Sequence, residues 1–159
     1  MERCRREPIF VTTKIAQQFR QIRQCAHPGC VVCNEGNEHG LQLDFKLDHD
    51  GAVVAEFALN KLFEGYPAML HGGIICMILD GAMTNCLFAR NCVAVTADLH
   101  VRFRHPVHTD QPASVRAWIN RSASCLYEVK AEIMQNEQIK TTAVGKFMRQ
   151  NHLSGQVKP

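Results

Sequence analysis

The residues best suited to do chemistry lie between His71 and Asp80. His71-Gly72-Gly73 precedes an apolar stretch, Ile74 to Leu79, and marks the start of a helix. The first turn of a helix leaves backbone N–H groups unpaired and carries partial positive charge. Two glycines let a ligand come close to that backbone. An oxygen that gains negative charge in a transition state is stabilised there, and a thioester carbonyl is a suitable candidate. Asp80 is the only acidic side chain on the helix, set within Ile78-Leu79-Asp80-Gly81-Ala82. A carboxylate among apolar neighbours is costly unless it is paired or has a task. Stripped of water it is also a better proton acceptor, which suits a general base.

Asp80 follows Gly73 by seven residues, so both face roughly the same side of the helix. Along the axis they are about 10 Å apart, too far to serve one carbonyl carbon. Two copies of the helix packed antiparallel bring the N-terminus of one near the aspartate of the other. The spacing therefore predicts a site shared between two subunits. Gly-Gly before a helix also makes a plain entry turn, and a buried aspartate also serves as a structural acceptor. The residues alone leave those readings open.

The elements that must hold these groups follow from periodicity. Residues 9–24 form a helix, with Ile9, Ile15, Phe19 and Ile22 at helical spacing. A loop rich in Gly, Pro, Asn and His runs from Cys25 to Gly40. Leu41 to Leu47 alternates as a strand, Asp48 to Gly51 turns, and Ala52 to Leu59 returns. After a second loop, Asn60 to Leu70, one helix spans Gly72 to Ala89 and is apolar on nearly every side, as in a core helix. Four strands follow: Val93 to Phe103, Ala113 to Asn120, Tyr127 to Met134 and Lys140 to Met148, with turns at Arg121 to Ser124 and Asn136-Glu137. This order predicts an α+β fold in which an antiparallel sheet curls around one central helix.

Size and composition agree with that outline. The chain has 159 residues, 46% hydrophobic and 21% charged, which suits one globular domain with a substantial core. A net charge of +3 is too mild to indicate nucleic acid. No apolar run is long enough for a membrane span, and Met-Glu-Arg-Cys-Arg-Arg leads into no signal-peptide core. The eight cysteines then read as reduced thiols of a cytoplasmic protein. Cys76, Cys86, Cys92 and Cys125 read as small core residues.

Gly65-Tyr66-Pro67, Leu70-His71-Gly72-Gly73-Ile74, Leu79-Asp80, Thr96-Ala97-Asp98-Leu99 and Phe103-Arg104-His105-Pro106-Val107 form a connected pattern. It resembles the hotdog-fold thioesterases of the phenylacetic-acid-degradation type, from about Cys30 to Met148. The resemblance implies a hotdog domain over residues 25–150, an N-terminal helical extension over 1–24 and a tail over 151–159. It implies an acyl-CoA thioesterase, working as a homodimer or homotetramer without metal or redox cofactor. Asp80 matches the catalytic acid, as nucleophile or as base for water. Gly73, or Gly72 beside it, matches the backbone donor to the thioester carbonyl. His71 matches the motif histidine, which either hydrogen-bonds near the carbonyl or shapes the turn. Thr96 matches a hydroxyl that orients the attacking water in some members. One departure stands out: some relatives carry Asn or Gln six residues before the histidine, where this chain has Gly65.

Other side chains extend the picture. His100, Arg102 and Arg104 alternate along a strand and suit the phosphates of coenzyme A, although the same pattern fits a solvated strand face. Arg121 is a further candidate. Phe63, Tyr66 and Met69 could line an acyl pocket. An acyl-carrier-protein thioester is an alternative donor. Cys25, His27, Cys30, Cys33 and His39 form a second cluster, in which Cys30-x-x-Cys33 is half of a zinc motif without an obvious second half. The resemblance implies cysteines here without metal. The competing functional class is a non-catalytic acyl-CoA-binding module or sensor. Such modules are usually fused to a DNA-binding region, for which the 24 residues before the loop are few.

Overall fold

The computed structural model describes residues 13–150. The N-terminal part of the expected first helix, and the expected tail, lie outside them. The first helix, α1, covers Thr13–Ala26. It is no separate extension: Phe19 and Ile22 are buried in the same core as the rest of the chain.

The hairpin is shorter than expected. Strands β1 (Lys46–Leu47) and β2 (Val53–Phe57) pair antiparallel. Residues 41–45 keep the alternation, with Leu43 and Phe45 buried, yet form no strand. Their backbone donors go elsewhere, Leu41 N–H to Val31 O and Leu43 N–H to Val32 O, and Gln42 has φ 51°. The pattern reported burial correctly, but the pairing partner is the loop.

The second loop holds a single helical turn at Lys61–Phe63 and two short paired strands, β3 (Glu64–Tyr66) and β4 (Met69–Leu70). The central helix α2 then runs unbroken over Gly72–Phe88. Strands β5 (Ala94–Phe103), β6 (Ala113–Ala123), β7 (Leu126–Gln135) and β8 (Gln138–Arg149) complete the chain. All four were expected, and the last three extend further than their apolar stretches. Arg121 therefore sits within β6, not in a turn. The β7–β8 connection is the expected Asn136-Glu137 pair, with φ 53° and 58°, as a tight two-residue hairpin requires.

The six-stranded sheet has the order β1-β2-β6-β7-β8-β5, antiparallel throughout. Its inner face, including Val115, Val129, Ile133 and Phe147, is fully buried together with α2. Each such side chain removed from water contributes about 1.5–3 kcal/mol before entropic costs. Burial of α2 is uneven. Residues 81–88 are all buried, whereas Gly73, Met77 and Asp80 form a partly open stripe on the N-terminal half. The expectation of a helix covered on every side holds for its second half only. Among the described residues, strand β5 lies at the sheet edge and pairs only with β8.

Candidate active site

The start of α2 is fixed by His71. Its backbone is extended, as for an N-cap residue, and its Nδ1 accepts the N–H of Gly73 at 2.9 Å. The His71 carbonyl accepts from Ile74 and Ile75, and its own N–H donates to Phe63 O at 2.8 Å. His71 thus shapes the turn, the second of the two roles open to it. The Gly73 N–H is engaged by this cap, whereas Gly72 N–H has no partner among the described residues.

Gly65 lies directly against that imidazole. A Cβ added at Gly65 would stand 3.0 Å from His71 Cδ2 and 3.2 Å from its Cα. A side chain at residue 65 would therefore press on the histidine ring.

Asp80 lies two turns further along α2 and is half-buried within one chain. Thr96 Oγ1 donates to Asp80 Oδ1 at 2.6 Å. A bulge makes this possible. Thr96 is opposite Phe147 on β8, but Asp98 is opposite Lys146, so Ala97 is an extra residue. Thr96 consequently shares the inner face with buried Phe147. Asp98, His100 and Arg102 stand opposite Lys146, Val144 and Thr142 on the outer face. The bulge at Ala97 thus puts Thr96 on the opposite face from His100 and Arg102.

The remaining candidates are scattered. Arg104 lies just past β5, exposed, with its N–H donating to Lys140 O. Arg121 is opposite Glu128 on the exposed part of β6. Phe63 packs on the core, while Tyr66 is 76% exposed. Phe103, which ends β5, is an addition to the candidate site. Its ring would touch a Cβ on Gly72 at 3.6 Å, and it is 54% exposed. An exposed aromatic lying over a helix N-terminus was signalled only by its place in the Phe-Arg-His-Pro segment.

Two half-sites result. One is the carboxylate–hydroxyl pair Asp80–Thr96. The other is the helix start with Gly72, Gly73, His71 and the overlying Phe103. They lie at opposite ends of the same open stripe.

The second cluster is tighter than the sequence suggested. His27, Cys30 and Cys33 each bring one ligand atom within 4.8 Å of the others. Cys25 and His39 do not join them. The Cys33 thiol hydrogen-bonds Cys30 and draws the Cys30 thiol down to about 3, with His27 adding to the effect. The same bond, and then burial, push Cys33 up.

The sequence model of the thioesterase superfamily matches residues 68–142. No curated protein matches the chain. Among solved structures, a thioesterase superfamily protein superposes with a TM-score of 0.73 at 19% identity, over 76% of this chain and 63% of its own. The match therefore spans less than two thirds of that neighbour. The PaaI protein from the phenylacetic acid degradation operon of E. coli gives 0.69 at 17%, over 84% and 96%. A hypothetical thioesterase from Streptococcus pneumoniae TIGR4, solved with coenzyme A, gives 0.63 at 15%, over 67% and 87%. That protein was also solved with an aspartate replaced by alanine and with a threonine, sixteen positions later, replaced by alanine. The chain has the hotdog fold, and its resemblance to the hotdog thioesterases is borne out.

Proposed function

We propose, from the hotdog fold and the thioesterase-superfamily match, that this chain hydrolyses an acyl-CoA thioester with Asp80 and Thr96 at the reacting centre. The hydrogen bond between those two side chains carries the reading. It fixes Oδ1 and leaves Oδ2 of Asp80 without a partner among the described residues, free to take a proton. The sixteen-residue separation of Asp80 and Thr96 equals that of the aspartate and threonine altered in the streptococcal protein.

In the base pathway, water attacks the carbonyl carbon and loses its proton to Asp80. The tetrahedral intermediate collapses with cleavage of the C–S bond, and the coenzyme A thiolate leaves and is protonated. In the nucleophile pathway, Asp80 attacks the carbonyl carbon first, and the C–S bond breaks as the coenzyme A thiolate leaves and is protonated. Water then hydrolyses the resulting mixed anhydride to the free acid and Asp80. Either pathway needs donors for the oxyanion. Gly72 and Gly73 supply them, Gly73 by exchanging its bond to His71 for one to the substrate. Because α2 is continuous, about 10 Å still separates these donors from Asp80 of the same chain. The donors therefore come from a second copy. The open stripe of Gly73, Met77 and Asp80 and the free edge of β5 are the surfaces a second copy would cover. Tyr66 and Phe103 flank the acyl group, and the exposed Arg104 directly follows Phe103.

The test is hydrolysis of short, medium, long and aromatic acyl-CoAs by the wild type and by Asp80→Asn. The variant is expected to lose several orders of magnitude in kcat with its fold intact. Near-normal turnover would refute the assignment. Binding of acyl-CoAs by the wild type with no hydrolysis across the panel would favour an acyl-CoA-binding module. Full activity in a monomer would refute the shared site.

A further inference from the structure

The turns after α1 place three soft or borderline metal ligands together, none of them part of the Asp80–Thr96 pair. Cys33 Sγ lies 3.8 Å from His27 Nδ1, and the ligand atoms of His27, Cys30 and Cys33 all fall within 4.8 Å of one another. That spread needs only small side-chain adjustments to close around an ion bound at about 2.0–2.3 Å. We propose that His27, Cys30 and Cys33 form a zinc site whose fourth position opens onto the adjoining cavity.

Four further observations support a built site. The His27 ring is held edge-on against Phe88 of α2, with centroids 4.8 Å apart at 88°. The Val32 N–H donates to Cys30 Sγ at 3.4 Å, the kind of outer-shell bond that steadies a ligating sulfur. The turn itself is tied by Asn34 Nδ2 to Pro28 O at 2.6 Å and Asn37 Nδ2 to Gly29 O at 3.2 Å. Finally, Asn85 of α2 is wholly buried within reach of Cys33, and its Oδ1 has no hydrogen-bond partner among the described residues. A buried orphan acceptor beside a ligand is satisfied by a water held at the site.

The fourth position follows from the neighbouring space. A cavity of about 140 Å³ is lined by His27, Cys33, Arg23, Gln24, Asn34 and Glu35. It is polar and large enough for an ordered water as the fourth ligand. Two thiolates and a neutral imidazole match Zn²⁺ by ligand type, and two thiolates balance its charge. The site is not the catalytic centre, but it touches the same helix. Val32, between the two cysteines, packs on Gly81, the residue after Asp80. A metal here would pin that loop to α2 beside the aspartate.

The experiment uses the full chain, purified under reducing conditions. Elemental analysis is expected to give one zinc per chain. Replacing zinc by cobalt is expected to give a thiolate-to-metal charge-transfer band and tetrahedral visible bands. In the wild type, zinc is expected to slow alkylation of Cys30 and Cys33 at least tenfold, mapped by peptide mass, while Cys25 and Cys125 react at unchanged rates. Cys125 is exposed and not the core residue expected from sequence. Cys30→Ser and Cys33→Ser should each remove the charge-transfer intensity or the metal. Cys25→Ser and His39→Ala should remove neither. Failure of reduced wild-type protein to bind zinc would overturn the proposal. So would a Cys30–Cys33 disulfide that forms in air with zinc present, or binding without protection of these two thiols. The alkylation result stands even if the serine variants do not fold, and none of these readouts depends on thioester hydrolysis.

Discussion

Thr96 Oγ1 donates to Asp80 Oδ1 across 2.6 Å, joining the edge strand to the middle of the central helix. The bond orients the carboxylate and uses one of its oxygens. Thr96→Val keeps the shape and removes the donor. It is expected to lower kcat by up to about 10²-fold, the cost of a misplaced reacting group, with little change in KM. Thr96→Ser should retain most of the rate. The effects of Thr96→Val and Asp80→Asn should be far from additive, because both act on one group. Steady-state kinetics of the two single variants and the double variant check this.

Gly65 and His71 form a second coupled pair. A methyl group at residue 65 would press on the imidazole at 3.0 Å and on the His71 Cα at 3.2 Å. The imidazole caps α2 through Gly73, so displacing it costs about 0.5–2 kcal/mol, the usual effect of a lost cap. Gly65→Ala is expected to be destabilising in the wild type and clearly less so in a His71→Ala background. Gly65→Asn, with its larger side chain, should destabilise more than Gly65→Ala. Urea denaturation of the four combinations gives the coupling energy directly.

The sequence made α2 and the later strands legible because their apolar periods are long and uninterrupted. It also singled out His71, Asp80 and Thr96, the residues that cap α2 and join it to β5. It could not show the bulge at Ala97, because Thr96 and Asp98 are both polar and alternation continues across them. Residues 41–45 misled for a related reason. Burial of Leu43 and Phe45 produces a strand-like pattern, whereas the partners of their backbone lie in the loop at Val31 and Val32. The His27–Cys30–Cys33 cluster seemed half a motif because its outer contacts, Phe88 and Asn85, lie more than fifty residues away.

Substrate phosphates give a third prediction. Arg104 follows Phe103, whose ring lies over Gly72 at the helix start, whereas Arg102 faces outward opposite Thr142. Arg104→Ala is therefore expected to raise KM for an acyl-CoA several-fold with a smaller effect on kcat. Arg102→Ala should have the lesser effect. The Arg104 contribution should shrink as salt rises, since exposed ion pairs are screened. KM measured at low and high ionic strength distinguishes the two arginines.

The hairpin supplies a pH test. Arg116 of β6 bonds Asp48 at 2.5 Å and also bonds Asp50, spanning the β1–β2 turn. The guanidinium, aided by the His49 N–H, holds the Asp48 carboxyl below its ordinary range. A depressed folded-state pKa means that the stabilisation is fully present above about pH 4, the ordinary aspartate value, and is lost as pH falls through the folded value. The pair is partly exposed, so its worth is about 1 kcal/mol or less. The stability gap between the wild type and Asp48→Asn should thus be small but measurable at pH 7 and should close on acidification below pH 4.

Val32 and Gly81 mark where the cysteine loop is pressed against α2. A Cβ on Gly81 would lie 2.6 Å from Val32 Cγ1, closer than packed atoms approach, and a tight 3.2 Å from its Cβ. Both residues are buried, so neither can swing into solvent. Gly81→Ala has two opposed effects. Alanine is the better helix former by about 1 kcal/mol. Overpacking a tight seam costs about 1–3 kcal/mol, and here the clash includes a branched carbon near the backbone. The steric effect should win, giving a net loss of stability. Val32→Ala alone should also destabilise, by leaving a void. Combined with Gly81→Ala it should recover part of the loss, because the added methyl then fills space the valine vacated. Because Gly81 follows Asp80, kcat for Gly81→Ala should fall further than the loss of folded protein explains, and the double variant should restore it. Simple addition of the two single-variant destabilisations would show that Val32 is not what excludes a side chain at Gly81.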